Sequence, residues 1–209
     1  MDTLKQYWTE LCNRYSSDQQ LIAHYFDEIN TAYTESHRHY HTLEHIHSML
    51  LEINACQNSA IDKGALLFAT WFHDMVYNPR KQNNETASAE IAVKALKQLW
   101  VPENSIQKVQ KLILATANHT DTRIAPDPDM DFFLDCDLKI LGAPREEYLL
   151  YAENIRKEYK HVISFIYKAE RKKVLKRFLE SPGIYRTDYF RTKYESQARS
   201  NVSFEIQTL

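Results

Sequence analysis

At 209 residues and 44% apolar content, the chain is long enough to form one large domain or a tight pair and to bury a proper core. Its net charge of −2 and pI near 6.5 give no general polyanion-binding surface. Only three glycines occur, Gly64, Gly142 and Gly183, all far apart. A glycine-rich dinucleotide loop, a phosphate-cradling P-loop and a G-x-S-x-G nucleophile elbow are therefore excluded.

The pattern is helical almost throughout. Leu4, Trp8, Leu11 and Tyr15 recur at three- and four-residue steps, as do Leu21, Tyr25, Phe26 and Ile29, and each set predicts an amphipathic helix. A third helix is expected from Thr42 to about Ala55. A fourth, from about Asp62 to Val76, is apolar nearly all round and should be buried and central. Asn83 or Asn84 is positioned to cap a fifth, running to about Leu99 with Glu85 in its first turn. Pro102 suits the first turn of a sixth, ending near His119. Asp121 to Asp131, rich in aspartate with two prolines, reads as the longest loop. A short helix from Phe132 to Leu141 is stopped by Gly142, and Pro144 opens the next, to about Val162. Ser164 to Leu179 is amphipathic, Ser181-Pro182-Gly183 breaks it, and a last helix covers about Thr187 to Phe204. The expected class is all-α. With no repeat and no low-complexity linker, a single domain over 1–209 is the better reading.

Cys12, Cys56 and Cys136 are scattered and odd in number, which suits reduced thiols rather than a disulfide framework. The first residues show no basic-then-apolar leader, and no apolar run approaches the roughly 18 residues of a membrane span. A soluble cytoplasmic protein is expected. The basic run Arg171-Lys172-Lys173 with Lys176 and Arg177 reads as a solvated helix face, so nucleic acid is not an expected partner.

Chemistry concentrates in the run Arg38-His39-Tyr40-His41-Thr42-Leu43-Glu44-His45-Ile46 and in His73-Asp74. His41 and His45 are four apart, so on one helix they would stack on one face. His73 and Asp74 close the apolar run Ala65–Phe72, where an imidazole beside a carboxylate is costly to bury unless something pairs with both. A bound cation would remove that cost. Further on, Asp135 and Asp137 form an acidic pair inside Phe133–Leu138; one should face inward, and Asp135 has the alternative of capping. Mixed imidazole and carboxylate donors suit Mn, Mg, Fe, Zn or Co. His24, His37, His39, His47 and His161 are expected on surfaces or helix flanks. Tyr40 and Tyr77 are the tyrosines placed to border a pocket.

The ordered set His45, His73-Asp74, Asp137 resembles the H…HD…D signature of the HD superfamily of metal-dependent phosphohydrolases. Tyr40-His41-Thr42-Leu43-Glu44-His45 is also similar to the Y-H-x-x-x-H motif of its cyclic-nucleotide phosphodiesterase branch. Segments Arg38–Ile46, Trp71–Tyr77, Asn84–Ala89, Asp135–Gly142, Ile184–Phe190 and Ala198–Asn201 extend the likeness, over nearly the whole chain, to a group of small bacterial HD-type phosphohydrolases.

The resemblance implies an HD-domain helical bundle, one divalent metal on His45, His73, Asp74 and Asp137, and His41 as proton donor to the leaving oxygen. A second register, with His41 three after Arg38 as the first ligand, fits as well. Arg38 would orient a phosphate oxygen, or else pair with Glu35 or a helix end. Glu85 would hydrogen-bond a metal-bound water, or serve only as a first-turn glutamate. His119 would serve a second metal, or stand at a helix C-terminus where the macrodipole favours it. The implied activity is hydrolysis of a small phosphorylated compound, plausibly a nucleotide. A di-iron oxygenase of the same superfamily is the alternative, but it needs two more histidines between the HD pair and the last aspartate, and only His119 lies there. A non-catalytic metal- or nucleotide-binding module is the third reading.

Overall fold

The computed structural model describes residues 2–56, 61–120 and 127–209, and among them every regular element is helical. The chain divides into two compact units, Met1–Ala117 and Asn118–Leu209.

The first unit holds α1 (Asp2–Cys12), α2 (Gln19–Tyr33), α3 (Leu43–Ala55), α4 (Lys63–Phe72), α5 (Asn84–Gln98) and α6 (Glu103–Ala115). Short polar side chains start several of them. Asp18 accepts from the Leu21 amide, Thr42 from Glu44 and Asp62 from Ala65, each satisfying a donor that the first helical turn leaves over. Every residue of α4 from Ala65 to Phe72 is buried, and α3, α5 and α6 pack around it. Trp8 of α1 closes the core. Its ring stands edge-on to Phe68, Trp71 and Phe72 at 5.7–6.1 Å between centroids, and its indole N–H donates to the Ile22 carbonyl at 2.8 Å.

Two helix ends differ from expectation. α4 stops at Phe72 rather than Val76, so His73 is its C-terminal cap and begins the turn that carries Asp74. α6 stops at Ala115, and a single 3-10 turn, Thr116–Asn118, leaves His119 outside the helix. The end of α5 is informative in another way. The amides of Trp100 and Val101 return to the carbonyls of Lys97 and Leu96, the paired closure that puts the residue after the cap in the left-handed region. That residue is Trp100, with φ of 62° and 79% of its surface exposed. Left-handed backbone costs an L-residue about 1 kcal/mol, and so exposed a ring returns little packing. Trp100→Gly is expected to stabilise the protein by about 0.5–1 kcal/mol, read as a higher urea midpoint at unchanged slope. A lower midpoint would show that the indole contributes packing after all.

The second unit holds α7 (Pro128–Leu138), a 3-10 turn (Lys139–Gly142), α8 (Arg145–Glu158), α9 (Ser164–Glu180) and α10 (Asp188–Thr208). The loop expected over 121–131 lies outside the described residues as far as 126, and its remainder is not a loop. Asp127 accepts from the amides of Asp129 and Met130, Pro128 occupies the first turn, and α7 thus begins four residues earlier than expected. Gly142 of the 3-10 turn lies against Tyr194 of α10. A Cβ there would lie 2.6 Å from that of Tyr194 and 2.8 Å from the Tyr185 hydroxyl, so only glycine fits. Asn201 of α10, fully buried, donates to the carbonyls of Leu141 and Ala143 and satisfies the end of the same turn.

The basic run on α9 is not uniformly solvated. Lys173, Lys176 and Arg177 are exposed, but Arg171 turns inward to Glu205 of α10 at 2.8 and 3.1 Å. The Tyr148 hydroxyl donates to the same carboxylate, and the Tyr151 ring lies 5.4 Å from the guanidinium. Burial pushes the Tyr167 hydroxyl beside this group up to about 12. No helix among the described residues is long and apolar enough to cross a membrane.

Candidate metal centre

His45 and the His73-Asp74 pair meet in the first unit, because α3 and α4 pack side by side and the turn after α4 begins at His73. His45 sits in the first turn of α3, and both histidines are buried, His73 with 1% of its surface exposed. The Nε2 atoms of His45 and His73 are 3.2 Å apart, and Nε2 of His73 is 3.0 Å from Oδ2 of Asp74. One donor atom from each of the three residues lies within 4.8 Å of the other two.

These spacings match a shared cation. Donors about 2.1 Å from one ion stand about 3.0 Å apart at octahedral angles and about 3.4 Å apart at tetrahedral ones. The hydrogen bonding of His73 points the same way. Its Nδ1 lies 2.9 Å from the Thr70 carbonyl, which only accepts, so Nδ1 carries the proton and donates it. In the neutral ring Nε2 is then a lone pair, aimed at a second imidazole nitrogen and a carboxylate oxygen. Three electron-rich atoms gathered in a buried space repel one another unless a positive charge sits among them. With a metal there, the Thr70 carbonyl is the outer partner that ligating histidines ordinarily have. The donor set thus fits a borderline or fairly hard divalent ion.

His41 is not on α3. Thr42 is the N-cap, so His41 precedes the helix and the expected one-face stacking with His45 does not occur. Its ring nevertheless lies 6.1 Å from that of His45, centroid to centroid, and stacks on Tyr77 at 4.2 Å. His41 Nε2 is 4.0 Å from Asp74 Oδ2, and the two side chains are 19% and 17% exposed. The three donors that share a point include His45 and not His41.

Arg38 is wholly enclosed, with 0% of its side chain exposed. Its Nε donates to Glu35 at 3.0 Å, one Nη to the carbonyls of Asp74 (2.7 Å) and His41 (3.3 Å), and the other to Met75 at 3.1 Å. The pairing with Glu35, one of the uses weighed from sequence, is therefore present. The guanidinium ties the histidine-bearing loop to the turn after α4 and is spent on that task. Tyr33 below it donates no charge but places a ring 4.9 Å from Arg38 and a hydroxyl on the Asp74 amide at 3.2 Å. Sequence reasoning missed Tyr33 and Thr70 as supports. Thr70 had a local signal, three residues before His73 on one helix, whereas Tyr33 had none. His37, expected on a flank, is part of the same scaffold through its Nε2 contact with the Tyr77 carbonyl at 2.7 Å. Glu85 stands in the first turn of α5, partly buried, with no side-chain hydrogen bond or ion pair among the described residues.

Asp137 and His119 belong to the second unit and pair there, Nε2 to Oδ2, at 2.7 Å. Of the two acidic residues in that run, Asp135 is the fully buried one. It does not cap its own helix. Instead its carboxylate accepts from the amides of Arg186 and Thr187 and from the Thr187 hydroxyl at 2.7–2.8 Å, fastening the start of α10. Burial pushes the Asp135 carboxyl up to about 6, against the downward pull of those three donors.

Comparison of the chain with protein-family models, with curated proteins and with solved structures finds no match. The likeness to HD-type phosphohydrolases rests on the motif residues.

Proposed function

We propose that the chain is a metal-dependent phosphohydrolase of the phosphomonoesterase or phosphodiesterase type, acting on a small phosphorylated compound such as a nucleotide. The observation that carries this reading is the convergence of His45, His73 and Asp74, at spacings of 3.2 and 3.0 Å, beside a partly open imidazole, His41. His45, His73 and Asp74 would hold a divalent ion, which when bound would supply Lewis acidity towards a phosphoryl oxygen and water.

The protein's own part is positional. Thr70 aims Nε2 of His73, and the Arg38 clamp and Tyr33 fix the backbone of Asp74. His41 is held by its stack on Tyr77 and reaches solvent, which suits delivery of a proton to the departing oxygen.

The test is a panel of nucleotides and phosphoesters with Mn, Mg, Co or Zn added to the full chain. Turnover should depend on metal. His41→Ala should slow it by about 10²–10⁴ while leaving bound metal unchanged. Metal-loaded protein inert across the panel, or His41→Ala as fast as the wild type, would refute the assignment.

A further inference from the structure

We propose that Tyr40 is a positioning residue: its hydroxyl holds the proton of His45 on Nδ1 and so keeps Nε2 available to the metal. The inference rests on the metal reading above and extends it to a residue outside the ligand set. His45 and His73 face each other through equivalent atoms, Nε2 to Nε2, so each must keep its proton on the far nitrogen for both to ligate. For His73 the far partner is a backbone carbonyl, and the outcome is forced. For His45 the far nitrogen, Nδ1, lies 3.2 Å from the Tyr40 hydroxyl oxygen. The two rings pack at 5.0 Å between centroids, tilted by 41°, so the contact fixes orientation as well as proton position.

A hydroxyl both donates and accepts, and this separates Tyr40 from Thr70. Donating to Nδ1, it would leave the proton of His45 on Nε2, where it meets His73 instead of a cation. Accepting from Nδ1–H, it yields the ligating form. A divalent ion therefore selects the accepting arrangement, and Tyr40 couples to metal affinity without touching the metal. Tyr40 also stands in the bend before the Thr42 cap, 5.1 Å from the His41 ring by centroid, which places it between proposed donor and proposed ligand.

The experiment compares zinc binding by calorimetry in the wild type, Tyr40→Phe and His45→Ala. Phenylalanine keeps the ring and removes only the oxygen, so fold and thermal midpoint without metal should be unchanged. Affinity should fall about 10- to 100-fold in Tyr40→Phe, as losses of such outer partners do, and further in His45→Ala. Proton NMR of the zinc-loaded protein supplies a readout that a purely structural role would not move. The ring N–H of His45 should be visible in the wild type and broadened by exchange in Tyr40→Phe, while that of His73, held by Thr70, stays sharp in both. A wild type that binds zinc alongside an equally tight Tyr40→Phe overturns this inference alone. A wild type that binds no zinc overturns it together with the metal centre.

Discussion

Replacing His73 by alanine is expected to abolish the stabilisation that a divalent metal confers on the protein. A ligand that binds only the folded state at 100 times its dissociation constant raises the unfolding free energy by about 2.7 kcal/mol. Wild-type protein titrated with Zn or Mn should show a rise of that order in its thermal or urea transition. His73→Ala should show none, because its Nε2 is within 3.0–3.2 Å of both other donors. The variant will also lose stability without metal, through the cavity left among buried residues. The informative quantity is the difference between metal-loaded and metal-free transitions within each protein. An equal metal-induced rise in both would place the ion elsewhere.

A second large effect is expected within the second unit. Arg171→Met removes the guanidinium that neutralises Glu205 and leaves a buried carboxylate whose remaining partner among the described residues is the Tyr148 hydroxyl. Losing one partner of a buried pair typically costs about 3–5 kcal/mol, against about 0–1 kcal/mol for an exposed pair. Arg171→Met/Glu205→Met should recover a large part of the loss, since two apolar side chains carry no stranded charge. Urea unfolding of both variants distinguishes the cases. A single-variant loss under about 1 kcal/mol, or a double variant weaker than the single, would mean that the charges are solvated after all.

Arg171 also shows why some of the structure was hidden from the sequence. Inside Arg171-Lys172-Lys173 it looks like one more solvated cation, and its partner lies 34 positions away on another helix. Arg38 was harder still, because three of its four acceptors are backbone carbonyls, which leave no trace in residue identity. Periodicity served well where one face of a helix meets the core, as along α1 and α2. It failed at the ends, where capping decides. The four-residue spacing of His41 and His45 would put them on one face of a single helix, yet Thr42 between them has the short hydroxyl that caps α3. Asp127-Pro128 was likewise a start signal, submerged among neighbouring aspartates and a proline that read together as a loop. The meeting of His45 with His73-Asp74 was legible for a different reason. A histidine and an aspartate ending a largely apolar helix need a partner, and the residue types themselves name its chemistry.

The centre is tested most directly by a crystal grown with manganese and measured for anomalous scattering at the metal's absorption edge. One strong peak should lie about 2.0–2.3 Å from Nε2 of His45, Nε2 of His73 and a carboxylate oxygen of Asp74. A map with no anomalous peak among those three atoms, while they keep their present spacing, would contradict it.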